Sequence, residues 1–330
     1  MFPRFLALAA LSLSLLSACT GTTEPTVSVG VALVNQNGNE LRSVVGPGTS
    51  AAAQPVTGAL DLQVLASGKT VVVAYRDHLE TRGLTLQNPV PLPGPGSGFT
   101  PCFVRLAISP ARDRVAALSD CGNGAAEQLA VYRSDGLLDY TATLPPPTPT
   151  DSANTRFTIT PDLNIWVARP AIGGGSELLR VSSAGITVVT NPPLSTAVHD
   201  LAVRGGTLYA ATDQGVLAVN PTSGALAATP VISGVINRLY SDNTLLAAWL
   251  LDSSASSQAL TLWDGTRRGV PAYPADLRDV TFGPDGKAYL LSGNKVTSYD
   301  TVFGFQRGDW QPTDLITTLQ GARALTWIAP

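Results

Sequence analysis

One pattern limits the fold of this chain more than any other feature. A short apolar strand, a turn of Pro, Asp, Asn or Gly, a second apolar strand and a third strand ending in a Gly turn recur about every 44 residues. Asp279 to Leu291, with the turn Gly283-Pro284-Asp285-Gly286, aligns with Arg156 to Val167, whose turn is Thr160-Pro161-Asp162-Leu163. Weaker copies begin at Asp61, Arg105, Asp200 and Asn237, so that successive starts lie 44, 51, 44, 37 and 42 residues apart. The second half of the unit repeats too, in Val131 to Gly136, Leu217 to Gly224 and Leu260 to Gly265, each a strand running into a tight turn. Period-two strands in a unit of this length are the mark of a β-propeller built from four-stranded blades, a period that a sandwich or β-helix lacks. Composition agrees: Glu and Lys together number only eight while Asp numbers 19, so the residues that extend surface helices are scarce and the turn-former is abundant.

Six starts leave a remainder at each end. Leu325 to Pro330 copies the first strand of a repeat and stops, whereas Val27 to Val34 and Leu41 to Val45 are strands without a first one. Joined in space they complete a seventh blade, and this closure removes open edges that would otherwise template aggregation. The sequence therefore predicts an all-β, seven-bladed propeller over residues 27–330, closed by strands from both termini, with six blades as the alternative. Pro89 to Pro101 and Pro145 to Ser152 read as proline-stiffened loops between blades. The turn Pro284-Asp285-Gly286-Lys287 is similar to those of the NHL, YVTN and quinoprotein-like propeller families. That resemblance spans residues 60–330, implies the fold and leaves function open.

Residues 1–18 read as a secretory signal: Arg4 supplies a positive charge, and Phe5 to Leu16 is an apolar run of 12 residues, too short to span a bilayer. Leu16-Ser17-Ala18-Cys19 resembles the bacterial lipobox, which implies that Cys19 is acylated and becomes the N-terminus of a tether over residues 19–26. Two or three acyl chains anchor a protein stably in the bilayer. Thr20, where an Asp would signal otherwise in the family pattern, favours the outer over the inner membrane. With Cys19 lipidated, the two remaining cysteines can pair. Strands flanking the turn Pro110-Ala111-Arg112-Asp113 pair at positions summing to about 223, and Cys102 and Cys121 fit that register, so a disulfide is expected.

Aligned strand starts around a channel form a ring, here Asp61, Arg105, Arg156, Asp200, Asn237, Asp279 and Leu325, with His199 just before Asp200. Such a ring could bind an anionic or polar ligand, hold a cation on its aspartates, or be an internally neutralised plug. His199 beside Asp200 is the sole titratable pair near neutral pH with an adjacent orienting carboxylate, and His78 reads as a solvent-facing turn residue. No nucleophile elbow, phosphate loop or zinc spacing appears, so no catalytic residue, metal site or cofactor is assigned. The five Glu, at 24, 40, 80, 127 and 177, all miss the ring, a departure from propeller lactonases, which hold a metal with Glu, Asn and Asp. A net charge of −3, with three Lys and 18 Arg spread singly, offers no stripe for a nucleic-acid backbone. The function read from the sequence is a membrane-anchored envelope lipoprotein, more a binding or scaffold module for an envelope protein or glycan than an enzyme. A hydrolase or lyase at the channel mouth is the alternative.

Overall fold

Short strands, of which Val71–Tyr75, Arg114–Ser119, Ile165–Pro170 and Thr207–Thr212 are largely buried on both faces, assemble into seven antiparallel sheets of four strands each. The computed structural model describes residues 28–45, 52–122, 124–146, 155–250, 259–272, 274, 276–319 and 321–329. The signal segment 1–18, Cys19, the tether 19–26 and Val27 lie outside the described residues, as do residues 147–152 of the second proline stretch. Numbered along the chain, blades 1 to 7 have as inner strands Ala59–Val64, Phe103–Ile108, Arg156–Ile159, Val198–Arg204, Ile236–Ser241, Leu277–Phe282 and Ala322–Ile328. Each inner strand touches the next, and Ala322–Ile328 touches both Leu277–Phe282 and Ala59–Val64, so the array is a closed ring around a channel.

Closure occurs as the sequence predicts. Ala322–Ile328 pairs antiparallel with Gly30–Asn35, from Gly30 opposite Ile328 to Asn35 opposite Ala322. Glu40–Val44 and Ala52–Pro55 complete that blade. The first proline stretch is not wholly a loop: Val90–Pro91 forms the outermost strand of blade 1, a position where proline's missing N–H costs no ladder bond.

The repeated turn has a conformational cause. Every inner hairpin formed by consecutive strands contains positive φ, at Gly68, Arg112, Leu163, Asn243 and Gly286 and, in blade 4, at both Gly205 and Gly206, between 55° and 79°. Glycine and asparagine enter that region readily, whereas Leu163 occupies it against its own steric preference.

The core lies between blades and not in the channel. Phe103, Leu106 and Tyr132 fill the space between blades 1 and 2; Trp166 and Leu201 that between blades 3 and 4; Tyr209 and Trp263 that between blades 4 and 5. Blade 7 contributes Leu33, Leu41 and Trp327 to a cluster shared with Leu62 of blade 1 and Tyr289 of blade 6. A seven-residue helix, α1 (Thr301–Arg307), which the repeat pattern does not reveal, joins the third and fourth strands of blade 6. Its start is fixed by Asp300, whose side chain accepts from the Phe303 N–H at 2.8 Å, and its end by Gly308 at φ 69°.

Cys102 and Cys121 are joined by a disulfide with Cα atoms 5.0 Å apart. The predicted register holds from Arg105 opposite Leu118 to Ile108 opposite Val115, but a bulge before Arg105 moves Phe103 opposite Ser119. The two cysteines are therefore offset by one position from direct opposition and remain within bridging distance. Because the bridge closes a segment with sequence separation 19, replacing both cysteines by serine is expected to lower stability by about 3 kcal/mol. Denaturant midpoints read this loss, and an unchanged midpoint would deny the bridge any stabilising role.

Candidate functional site

An inner strand has no partner on its channel side, so its N–H groups there need other acceptors. Three aspartates supply them, each serving two blades. Asp61 accepts from its neighbour Leu62 N–H at 2.8 Å and from Leu106 N–H of the next blade at 2.8 Å. Asp200 accepts from Leu201 and Leu239 N–H, both at 3.0 Å. Asp279 accepts from Val280 N–H at 2.9 Å and Leu325 N–H at 2.8 Å. In six of seven blades, the N–H that follows the ring position is thus held by a carboxylate; in blade 3 that position is Arg156.

Strand register assigns the ring residues. Asp61, Arg105, Asp200 and Asp279 each follow a β-bulge, and Arg156, the first residue of its strand, stands at the equivalent position. In blade 5 the bulge residue is Asn237, and the ring position belongs to Arg238; in blade 7 it belongs to Ala324 and not Leu325. His199 is likewise a bulge residue. Its Nε2 lies 2.7 Å from Asp213 Oδ1, so its carboxylate partner is Asp213 and not Asp200. The structure therefore brings together Asp61, Arg105, Arg156, Asp200 and Asp279, adds Arg238, and leaves His199 and Asn237 outside the ring. His78, half exposed in a turn, stacks on Tyr75 and bonds Asp77 at 2.7 Å.

A cavity of ≈ 320 Å³ runs along this channel, lined among others by Asp61, Arg105, Asp200, Arg238, Tyr240 and Asp279. Burial pushes the Asp279 carboxyl up to about 7, where Arg238 opposes the shift and the neighbouring Asp61 reinforces it. Asp61 is raised for the same reason, against its two N–H bonds and the charges of Arg105 and Arg238. Burial lowers Arg156 to about 10, helped by repulsion from Arg105 and Arg238. Among the described residues no ring arginine forms an ion pair with a ring aspartate, and Arg156 Nε, Arg238 Nε and the Tyr240 hydroxyl are buried without a hydrogen-bond partner. Arg238 lies over the Tyr240 ring, 5.4 Å from its centroid. At the bulges, Arg278 is paired with Asp276 at 2.7 Å and Arg323 donates to the Gln36 carbonyl. No group of three or more His, Cys, Asp or Glu side chains able to hold a metal occurs among the described residues.

Comparison with solved structures agrees with this architecture. A functionally unknown protein from Desulfotomaculum acetoxidans superposes with a TM-score of 0.63 at 9% identity, over 91% of this chain and 99% of that one. Apo AztD from Citrobacter koseri gives 0.58 at 12% identity, covering 91% and 98%. A putative 6-phosphogluconolactonase from Bacteroides fragilis gives 0.58 at 13%, covering 93% and 99%. The shared property is the β-propeller fold. No protein-family model matches the chain, and no curated protein matches it in sequence. At such identities the likeness carries fold and no activity, so function has to be argued from the channel.

Proposed function

We propose that this protein is an exported lipoprotein, held at the outer membrane through acylated Cys19, whose propeller is a binding module for an envelope protein or glycan. The observation that carries the reading is how the ring's polar groups are used. Its carboxylates are bound to backbone N–H groups of two blades each, and His199 is turned to Asp213, so the channel offers donors for recognition without a nucleophile and base in contact. The Cys102–Cys121 disulfide suits an oxidising compartment outside the cytoplasm. The apolar run ending at Cys19 suits export to it.

A hydrolase or lyase at the channel mouth draws its support from Asp279, whose carboxyl burial pushes up to about 7, the range that suits a general acid or base. Both oxygens of that carboxyl are already engaged, which weighs against the role. Two measurements test the reading together. Palmitate fed to producing cells is expected to label the wild type and not Cys19→Ser, which leaves the membrane fraction. Affinity capture from detergent-solubilised envelope is expected to retain a protein or glycan. Unlabelled wild type removes the anchor, and turnover of a test ester or lactone without any captured partner removes the binding role.

A further inference from the structure

We propose that the channel binds a small, multiply charged oxyanion, a polycarboxylate or a phosphate ester, on the guanidinium groups of Arg105 and Arg238, which line its cavity, with the charge of Arg156 beside them. The inference rests on the binding-module reading and names the ligand class of that site.

The ring holds three aspartates and three arginines, which taken as charges would cancel. Their hydrogen bonds do not cancel. Each aspartate directs its oxygens at N–H groups of its own and the following inner strand, which holds adjacent blades together and leaves no oxygen aimed at an arginine. No ring aspartate gives a ring arginine a hydrogen bond or a contact ion pair, although Asp200, Asp279 and Asp61 attract Arg238 at longer range. Arg105 makes no hydrogen bond or ion pair, Arg156 donates only to the Thr155 carbonyl at 3.1 Å, and Arg238 rests on the face of Tyr240. Arg156 Nε and Arg238 Nε are buried donors without acceptors, which are uncommon in native proteins and call for a partner. A guanidinium has five N–H groups in a planar fork matched to carboxylate and phosphate oxygens.

Position strengthens the argument. Arg105 and Arg156 stand on adjacent inner strands and Arg238 two blades further round, and Arg156 feels the charge of both. Arg105 and Arg238 both repel Arg156, a repulsion that Asp200 offsets only in part, and an anion placed among the three relieves it. A cation is the poorer occupant, since the aspartates sit on blades 1, 4 and 6 and do not converge as a metal-holding group. A cavity of ≈ 320 Å³ lies at the small end of ligand pockets, which suits a metabolite-sized ion and excludes a polymer chain threaded through.

Isothermal titration at low ionic strength tests this, with sulfate, inorganic phosphate and citrate as anionic probes and glucose and calcium chloride as contrasts. At least one anion is expected to bind the wild type and to bind Arg105→Gln and Arg238→Gln about 10- to 100-fold more weakly, the loss of one charge-assisted contact. Arg307→Gln, on α1 and outside the channel, is expected to bind like the wild type. Citrate bound more tightly than phosphate points to a polycarboxylate, and the reverse order to a phosphate ester. Melting curves establish that the variants fold; Arg105 makes no bond to lose, so Arg105→Gln carries the test if Arg238→Gln does not fold. No anion binding, or binding equal in Arg105→Gln and wild type, overturns the proposal. If an envelope partner is still captured in that case, the binding module stands and only its ligand class falls. Enzymatic turnover of a bound anionic ester would do the opposite.

Discussion

Removal of residues 322–330 is expected to abolish cooperative folding and leave an aggregating chain. The deleted strand is the inner strand of blade 7 and the partner of Gly30–Asn35, so its loss opens both the ring and one ladder edge. It also takes Leu325, Trp327 and Ile328 out of the cluster they share with blades 1 and 6. At about 1.5–3 kcal/mol per large apolar side chain, those three residues account for roughly 5–9 kcal/mol, most of what a typical domain has in reserve. The exposed edge of Gly30–Asn35, with Val31, Leu33 and Val34 along it, then becomes a template for a second chain. Size-exclusion chromatography and thermal melting followed by circular dichroism decide the matter. A truncated monomer melting near the wild-type midpoint would mean that the termini do not close the ring.

Architecture was readable from the sequence because the repeated turn records a backbone requirement. Pro284-Asp285-Gly286 and Pro161-Asp162-Leu163 share a spacing because both hairpins need positive φ at their third residue. The remaining inner hairpins meet the same need with Gly68, Arg112, Gly206 and Asn243, which blurs the copies without moving them. The ring was readable only in part. A bulge adds one residue at the start of an inner strand, too short a segment for apolar alternation to register the slip, so Asn237 stood in for Arg238 and Leu325 for Ala324. His199 and Asp200 are neighbours in sequence, yet successive strand residues point apart, and the histidine meets Asp213 instead. The aspartate bridges did leave a trace: Asp61-Leu62, Asp200-Leu201 and Asp279-Val280 repeat the same dipeptide type. Their second bonds span 45, 39 and 46 residues, one repeat each. Helix α1 was signalled by Asp300 and Gly308 alone, and about two turns of helix inside a strand repeat have too little periodicity to detect.

If those bridges hold the blades together, the aspartates should matter in a way that depends on pH at one position. Asp200→Ala leaves the N–H groups of Leu201 and Leu239 without their acceptor at a site where Asp200 itself is only 8% exposed, and at about 1–3 kcal/mol for each buried unpaired donor the expected loss is roughly 2–6 kcal/mol. Asp279→Ala breaks the matching pair of bonds to Val280 and Leu325, but there burial has raised the carboxyl to about 7. The groups facing it are Arg238 and Tyr240 of blade 5 and Asp61 of blade 1. A carboxyl whose folded pKa lies above its free value of 3.8 binds its proton more tightly in the native state. Its contribution to stability is therefore full below about pH 4 and is lost as pH rises through about 7. Asp279→Ala should in consequence cost most near pH 5 and least near pH 8, with a difference of roughly 2–3 kcal/mol between them. Urea unfolding of wild type and variant at both pH values measures it directly. A cost that grew from pH 5 to pH 8 would mean that Asp279 is stabilised as a carboxylate in the ring, by Arg238 above all, and that burial does not govern the channel's charge.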